Sequence, residues 1–118
     1  MISVENSTPA QLEQALYDYC IKSNKLMLEA VEAKETYDML RENKGRVFAS
    51  MILEQEGKSF AERERKAEAS NGWKEYLDAL NEARKKYSSA SASADAWIRC
   101  WDTIRSILSS RNTERRMG

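Results

Sequence analysis

Histidine is absent from the 118 residues of this chain, and proline occurs once and glycine four times. The missing imidazole removes the commonest general base and the commonest metal ligand of proteins. The two cysteines, Cys20 and Cys100, lie far apart with no second cysteine near either, so neither a zinc site nor a redox motif is indicated. We therefore expect reduced thiols, no cofactor, no metal and no enzymatic activity.

The chain also lacks net charge, because 19 basic residues balance 19 acidic ones. Attraction to nucleic acid or to an anionic membrane must then come from a local patch. No apolar run approaches the roughly 18 residues of a membrane span, and the first residues show no basic segment followed by an apolar one. We expect a cytoplasmic protein with no membrane partner and no small-molecule substrate.

What the sequence does contain is apolar residues at alternating steps of three and four along two long segments. Thr8, Pro9 and Gln11 have the pattern of a capping box with proline at the first helical position, which predicts a helix from residue 9. The first apolar stripe runs from Leu12 to Met51, and the second, cleaner one runs from Trp73 to Leu108. This spacing is typical of helices that pack against each other along their length.

Between the two stripes lie residues that end and restart helices. Gly57 is a candidate C-terminal cap, and Ser59 with Glu62 has the pattern of a second capping box. A break at Asn71 and Gly72 stays open, because one glycine costs only about 1 kcal/mol in a helix. The predicted elements are a helix over about 9–56, an elbow helix over about 60–70, a helix over about 72–110, and a basic C-terminal tail over about 111–118 that frays.

These elements predict an all-α fold, namely a single domain over 1–118 built as a long antiparallel helical hairpin of coiled-coil type. Two helices cannot bury an apolar face as wide as the one near the open end of this hairpin, and exposed patches of this kind mark interaction surfaces. We therefore expect self-association into a helical bundle, with a dimer favoured. The candidate oligomer interface comprises Tyr17, Ile21, Leu28, Val31, Trp97, Ile98 and Trp101.

Basic residues around the elbow give a candidate contact for single-stranded DNA or for a protein partner. Between residues 41 and 86 there are eleven basic and nine acidic residues, so a solvated face of ion pairs is the simpler interpretation. Tryptophans on an apolar stripe more often pack in a core than stack on bases, with Trp73 beside the elbow as the exception. The candidate contact residues are Lys58, Arg63, Arg65, Lys66, Trp73 and Lys74.

The run from Gly57 to Ala67, followed by Trp73 and a long helix bearing tyrosine and tryptophan, resembles small all-helical proteins from the early regions of bacteriophages and prophages. The likeness is best over residues 45–85. Most proteins of this kind have no assigned activity, and they often accompany genes for recombination and single-strand handling. The resemblance therefore implies an accessory role in DNA recombination or replication in the host cytoplasm, and it assigns no catalytic or binding residue.

The function expected from these observations is binding without catalysis. The first hypothesis is an accessory factor of DNA recombination or replication that contacts single-stranded DNA or a DNA-bound protein through the elbow. The alternative is a protein-only adaptor or inhibitor of a host or phage protein that docks through the wide apolar end. A structural coiled-coil assembly protein is a third hypothesis, and nothing in the composition or the spacing chooses among the three.

Overall fold

A computed structural model describes residues 8–117 and the side chains of residues 8–113. The described chain contains three helices and no strand. They are α1 (Pro9–Glu54), α2 (Phe60–Glu68) and α3 (Asn71–Met117). The predicted all-α helical hairpin with a short elbow helix is confirmed, and its self-association stays a prediction.

The hairpin divides into two compact units. We call them the terminal unit, which joins the described residues up to Ala30 to those from Ser89 onward, and the elbow unit, which comprises Val31–Ser88. Within each unit a segment of α1 packs against a segment of α3. In the terminal unit Leu12 clusters with Ile104 and Tyr19 meets Trp97, so residue numbers rise along one helix as they fall along the other, as expected for antiparallel helices.

In the core of the terminal unit, Leu12 and Ile104 lie on the two predicted stripes and Ala15 lies beside the first stripe. Leu12, Ala15 and Ile104 form a buried cluster, surrounded by half-buried aliphatic and aromatic side chains. The rings of Tyr19 and Trp97 meet edge to face with their centroids 4.9 Å apart, a favourable geometry for the aromatic quadrupoles. The periodicity of the sequence therefore predicts the inward face of both helices in this unit.

The core of the elbow unit is aromatic. Trp73 is only 9% exposed, and its ring centroid lies 4.6 Å from that of Phe48 and 5.7 Å from that of Tyr76, with which it is nearly parallel. The Tyr76 hydroxyl donates a hydrogen bond across to the backbone carbonyl of Leu40. From α2, Ala67 is fully buried. Bulky rings from both long helices therefore hold this unit together.

Both predicted capping boxes are present. The Thr8 amide donates to Oε1 of Gln11 at 2.9 Å, and the Gln11 amide donates back to Oγ1 of Thr8 at 3.2 Å. At α2 the Glu62 amide donates to Oγ of Ser59 at 3.2 Å, while the Glu62 carboxylate accepts from the Lys58 amide at 3.1 Å. These reciprocal bonds satisfy amides that the first turn of a helix leaves without partners.

The prediction that Gly57 caps the C-terminal end of the first helix is wrong. Helix α1 ends at Glu54, and Gly57 has no positive φ angle. A Cβ atom at Gly57 would lie 3.0 Å from Cγ of Arg63, which is tighter than nine in ten real Cβ contacts. Residues 55–59, which we call the connector, join α1 to α2. Glycine is favoured at position 57 because the connector passes close to α2 there.

The break between α2 and α3 precedes Asn71 and Gly72, which are the first residues of α3. The reason is Ser70, whose hydroxyl donates to the Ala67 carbonyl at 2.6 Å and accepts from the Trp73 amide at 3.3 Å. A serine in this position ends one helix and caps the next. The helix is therefore interrupted at Ser70, one residue before Asn71, and Asn71 and Gly72 both belong to α3.

Helix α3 continues through Met117, so the prediction of a tail outside the helix is wrong for residues 111–117. These residues include no glycine or proline, and arginine, glutamate and methionine extend a helix at little cost. Gly118, the last residue of the predicted tail, lies outside the described residues.

Trp73→Ala should lower the free energy of unfolding by about 3–5 kcal/mol, because it removes the ring that joins Phe48 to Tyr76 and leaves a cavity. Urea denaturation followed by circular dichroism measures this change. Leu53→Ala is the matched control, since Leu53 is 79% exposed and its truncation should cost less than about 0.5 kcal/mol. Equal effects of the two substitutions would contradict the aromatic core.

Ser23→Ala should raise the free energy of unfolding by about 1–2 kcal/mol. Ser23 is only 5% exposed, and its buried hydroxyl has no hydrogen-bond partner among the described residues. Alanine removes this unsatisfied group and is also the better helix former. Ser50→Ala, at an exposed position of α1, should gain only about 0.5 kcal/mol from propensity. If both variants gain equally, the buried hydroxyl carries no penalty.

Candidate functional site

The terminal unit presents apolar side chains on the face of α1 that points away from α3. Tyr17, Ile21 and Leu28 are 63%, 52% and 65% exposed. Together with exposed Asn24 they follow steps of four, three and four, and we call these four residues the outer row. At about 100° per residue, this row lies on the opposite side of α1 from Leu12 and its neighbours in the core.

Two different flanks border the outer row. Asp18 and Lys25, one heptad apart, lie on one flank, and Cys20 and Met27 lie on the other. The Asp18 carboxylate accepts a hydrogen bond from the Gln14 side chain at 3.0 Å, and Lys25 makes no ion pair within residues 8–113. One flank is therefore charged with both signs, and the other is apolar.

The remaining members of the candidate oligomer interface are distributed differently. Val31 is exposed but belongs to the elbow unit. Trp97 packs on Tyr19, Ile98 is half-buried, and the half-buried Trp101 lies under the Arg105 guanidinium, 4.9 Å from its ring centroid. The place of Trp97 on the second stripe directs its ring toward Tyr19 inside the hairpin, and its role in an oligomer interface stays a prediction.

The candidate contact residues of the elbow do not form one open basic surface. Lys66 donates a 2.6 Å hydrogen bond to the Glu56 carbonyl and lies 3.6 Å from the Glu62 carboxylate. Arg63 is half-buried, and Trp73 belongs to the core, so its assignment as a surface contact is wrong. Among the candidate contact residues, those that are exposed cations without an ion pair in the described chain are Lys58, Arg65 and Lys74.

Ion pairs cover much of the remaining helical surface. Asp38 is paired with both Lys34 and Arg41, and Glu82 with Lys85, in each case three or four residues apart on one helix. This spacing is the one at which side chains of a helix meet. The arrangement agrees with the interpretation of the mixed charges as a solvated face.

Sequence reasoning missed exposed apolar side chains on both sides of the connector. Leu53, near the end of α1, is among the most exposed large hydrophobic residues, and Phe60 at the start of α2 is also exposed. Leu53 lies two residues after Met51, the last member of the first stripe, and therefore off its face. That offset was the signal available in the sequence.

The described residues contain no cluster of three histidine, cysteine or carboxylate side chains that is able to hold a metal ion. Both cysteines are free and half-buried, as expected for reduced thiols. Within the part of the chain that the structure describes, no helix has an apolar stretch long enough to cross a bilayer. What the surface offers chemically is apolar contact and charge.

No protein-family model matches this chain, and no curated protein or solved structure is significantly similar to it. The resemblance to small phage proteins stays a prediction from the residues that carry it.

Lys66→Met should make the connector at least about fivefold easier to cleave after Glu56, because it removes the hydrogen bond to the Glu56 carbonyl. Limited digestion with a glutamate-specific protease, followed by mass spectrometry, measures the rate. Lys74→Met is the matched control, since it removes an exposed cation with no ion pair in the described chain. Equal cleavage of the two variants would show that Lys66 does not hold the connector.

Proposed function

We propose that this chain is a non-enzymatic helical interaction protein that binds a protein partner through the outer row of α1. The observation that carries the proposal is the exposure of Tyr17, Ile21 and Leu28 at the spacing of a helix-packing seam. Exposed apolar patches of this kind mark protein interaction sites. Because steps of three and four match the ridges of another helix, the partner presents a helix to this face.

The elbow offers less support for the single-stranded DNA hypothesis. Binding of unpaired strands combines a basic groove with aromatic side chains on which bases stack. Trp73 is in the core and Lys66 is engaged with Glu56 and Glu62. A role in DNA recombination or replication is compatible with the proposal when the partner on the outer row is a DNA-bound protein.

A photo-cross-linking amino acid in place of Leu28 should give a discrete cross-linked product between this chain and a protein in cells that produce it. The same substitution at Leu53, which is even more exposed but lies off the outer row, should give none. Denaturing electrophoresis and mass spectrometry identify the product. Absence of a product from position 28, or equal labelling from position 53, would contradict the proposal.

Fluorescence anisotropy with a labelled single-stranded oligonucleotide should show no binding at low salt. Binding that weakens steeply with added salt would instead favour the DNA hypothesis. In that case the triple variant Lys58→Gln, Arg65→Gln, Lys74→Gln should abolish it. Loss of binding in this variant with unchanged helical content would show that the functional surface is the elbow and not the outer row.

A further inference from the structure

We infer that the partner on the outer row is a second copy of this chain, with the two α1 helices antiparallel and Ile21 beside the partner's Asn24. The inference rests on the proposed function, because it names the occupant of the same face. The observations that support it are the order of the residues along the outer row and the signs of the charges on its flank.

The outer row is complementary to itself when the helices run in opposite directions. Antiparallel packing then places Tyr17 opposite the partner's Leu28 and Ile21 opposite the partner's Asn24, and the two-fold axis repeats both pairs. All four members of the row are used, and each copy covers the large side chains that the other leaves exposed.

The flanking charges agree with this register. Asp18 faces the partner's Lys25, and the two-fold axis generates the same pair a second time. On the opposite flank Cys20 faces the partner's Met27, which extends the apolar contact. Lys25 has no ion pair within its own described chain, and Asp18 is bonded only to the Gln14 amide, so both charges are available.

Neighbouring arrangements place like charges together or lose the charge pair. Moving the second helix by one heptad in one direction sets Lys25 against the partner's Lys25, and moving it by one heptad in the other direction sets Asp18 against the partner's Asp18. In a parallel pair, Lys25 lies opposite the partner's Cys20 and has no charge to meet. Like charges at such positions are unfavourable, so the flank selects one register and one direction.

The seam is short. From Tyr17 to Leu28 it extends over roughly 17 Å of helix, which gives an interface at the small end of the range for specific complexes. We therefore expect a reversible dimer with a dissociation constant in the micromolar range, since small interfaces are typical of transient association.

Sedimentation equilibrium of the full chain between about 1 and 300 μM should show a monomer–dimer equilibrium. Lys25→Glu and Asp18→Lys should each raise the dissociation constant about tenfold, because each turns two attractions into two repulsions. The double variant Asp18→Lys, Lys25→Glu should return to within about twofold of the original value. Lys44→Glu is the matched control, because it makes the same charge change at an exposed position of α1 in the elbow unit, far along the helix from Asp18 and Lys25.

Cross-linking adds an independent measure of direction. From position 28 the antiparallel pair joins tryptic fragment 26–34 of one copy to fragment 1–22 of the other, which contains Tyr17. A parallel pair would instead join fragment 26–34 to itself. Circular dichroism of each variant at low concentration verifies that the helices are intact.

Several results would overturn the inference. A dimer whose dissociation constant ignores both charge reversals, or is not restored by the double variant, would exclude this register. A chain that stays monomeric while position 28 cross-links to a different protein would refute the second copy and leave the proposed function standing. If position 28 gives no product at all, the proposed function fails together with the inference.

Discussion

The seam between α1 and α3 is the contact on which the rest of the molecule depends. Helices of 46 and 47 residues gain little from propensity alone and owe their stability to burial of an apolar face. The terminal unit supplies this burial with Leu12, Ala15 and Ile104, and the elbow unit supplies it with Trp73 and its neighbouring rings. Each unit therefore has its own hydrophobic contact between the same two helices.

A seam between two helices uses one face of each, and this limit explains the candidate interaction surface. Helix α1 carries a second row of apolar residues that the seam cannot reach, so Tyr17, Ile21 and Leu28 stay in contact with solvent. On α3, by contrast, Trp97 lies on the apolar stripe and packs on Tyr19 inside the hairpin. The exposed surface is consequently concentrated on α1, where Asp18 and Lys25 border it with opposite charges.

Local pattern was enough to predict most of the fold. The two stripes predict which residues turn inward, and Thr8 with Gln11 and Ser59 with Glu62 predict where helices begin. The positions that the sequence did not predict depend on particular side-chain contacts that residue type alone does not specify. Ser70 ends α2 through bonds to Ala67 and Trp73, and Gly57 is constrained by Arg63 rather than by its own backbone. Tyr17, Ile21 and Leu28 of the outer row were predicted as a surface from the width of the apolar face. The burial of Trp73 and the hydrogen bond of Lys66 to the Glu56 carbonyl could not be predicted, because both depend on tertiary contacts.

The pairing of α1 with α3 also sets an order in which the chain closes. Phe48 and Trp73 are 25 positions apart in the sequence, so their contact closes a much shorter loop than the contact between Leu12 and Ile104, which are 92 positions apart. Loop-closure entropy grows with the length of the intervening chain, and local contacts form faster than distant ones. We therefore expect the elbow unit to form first, and the pairing of the two helices then to extend toward the chain termini.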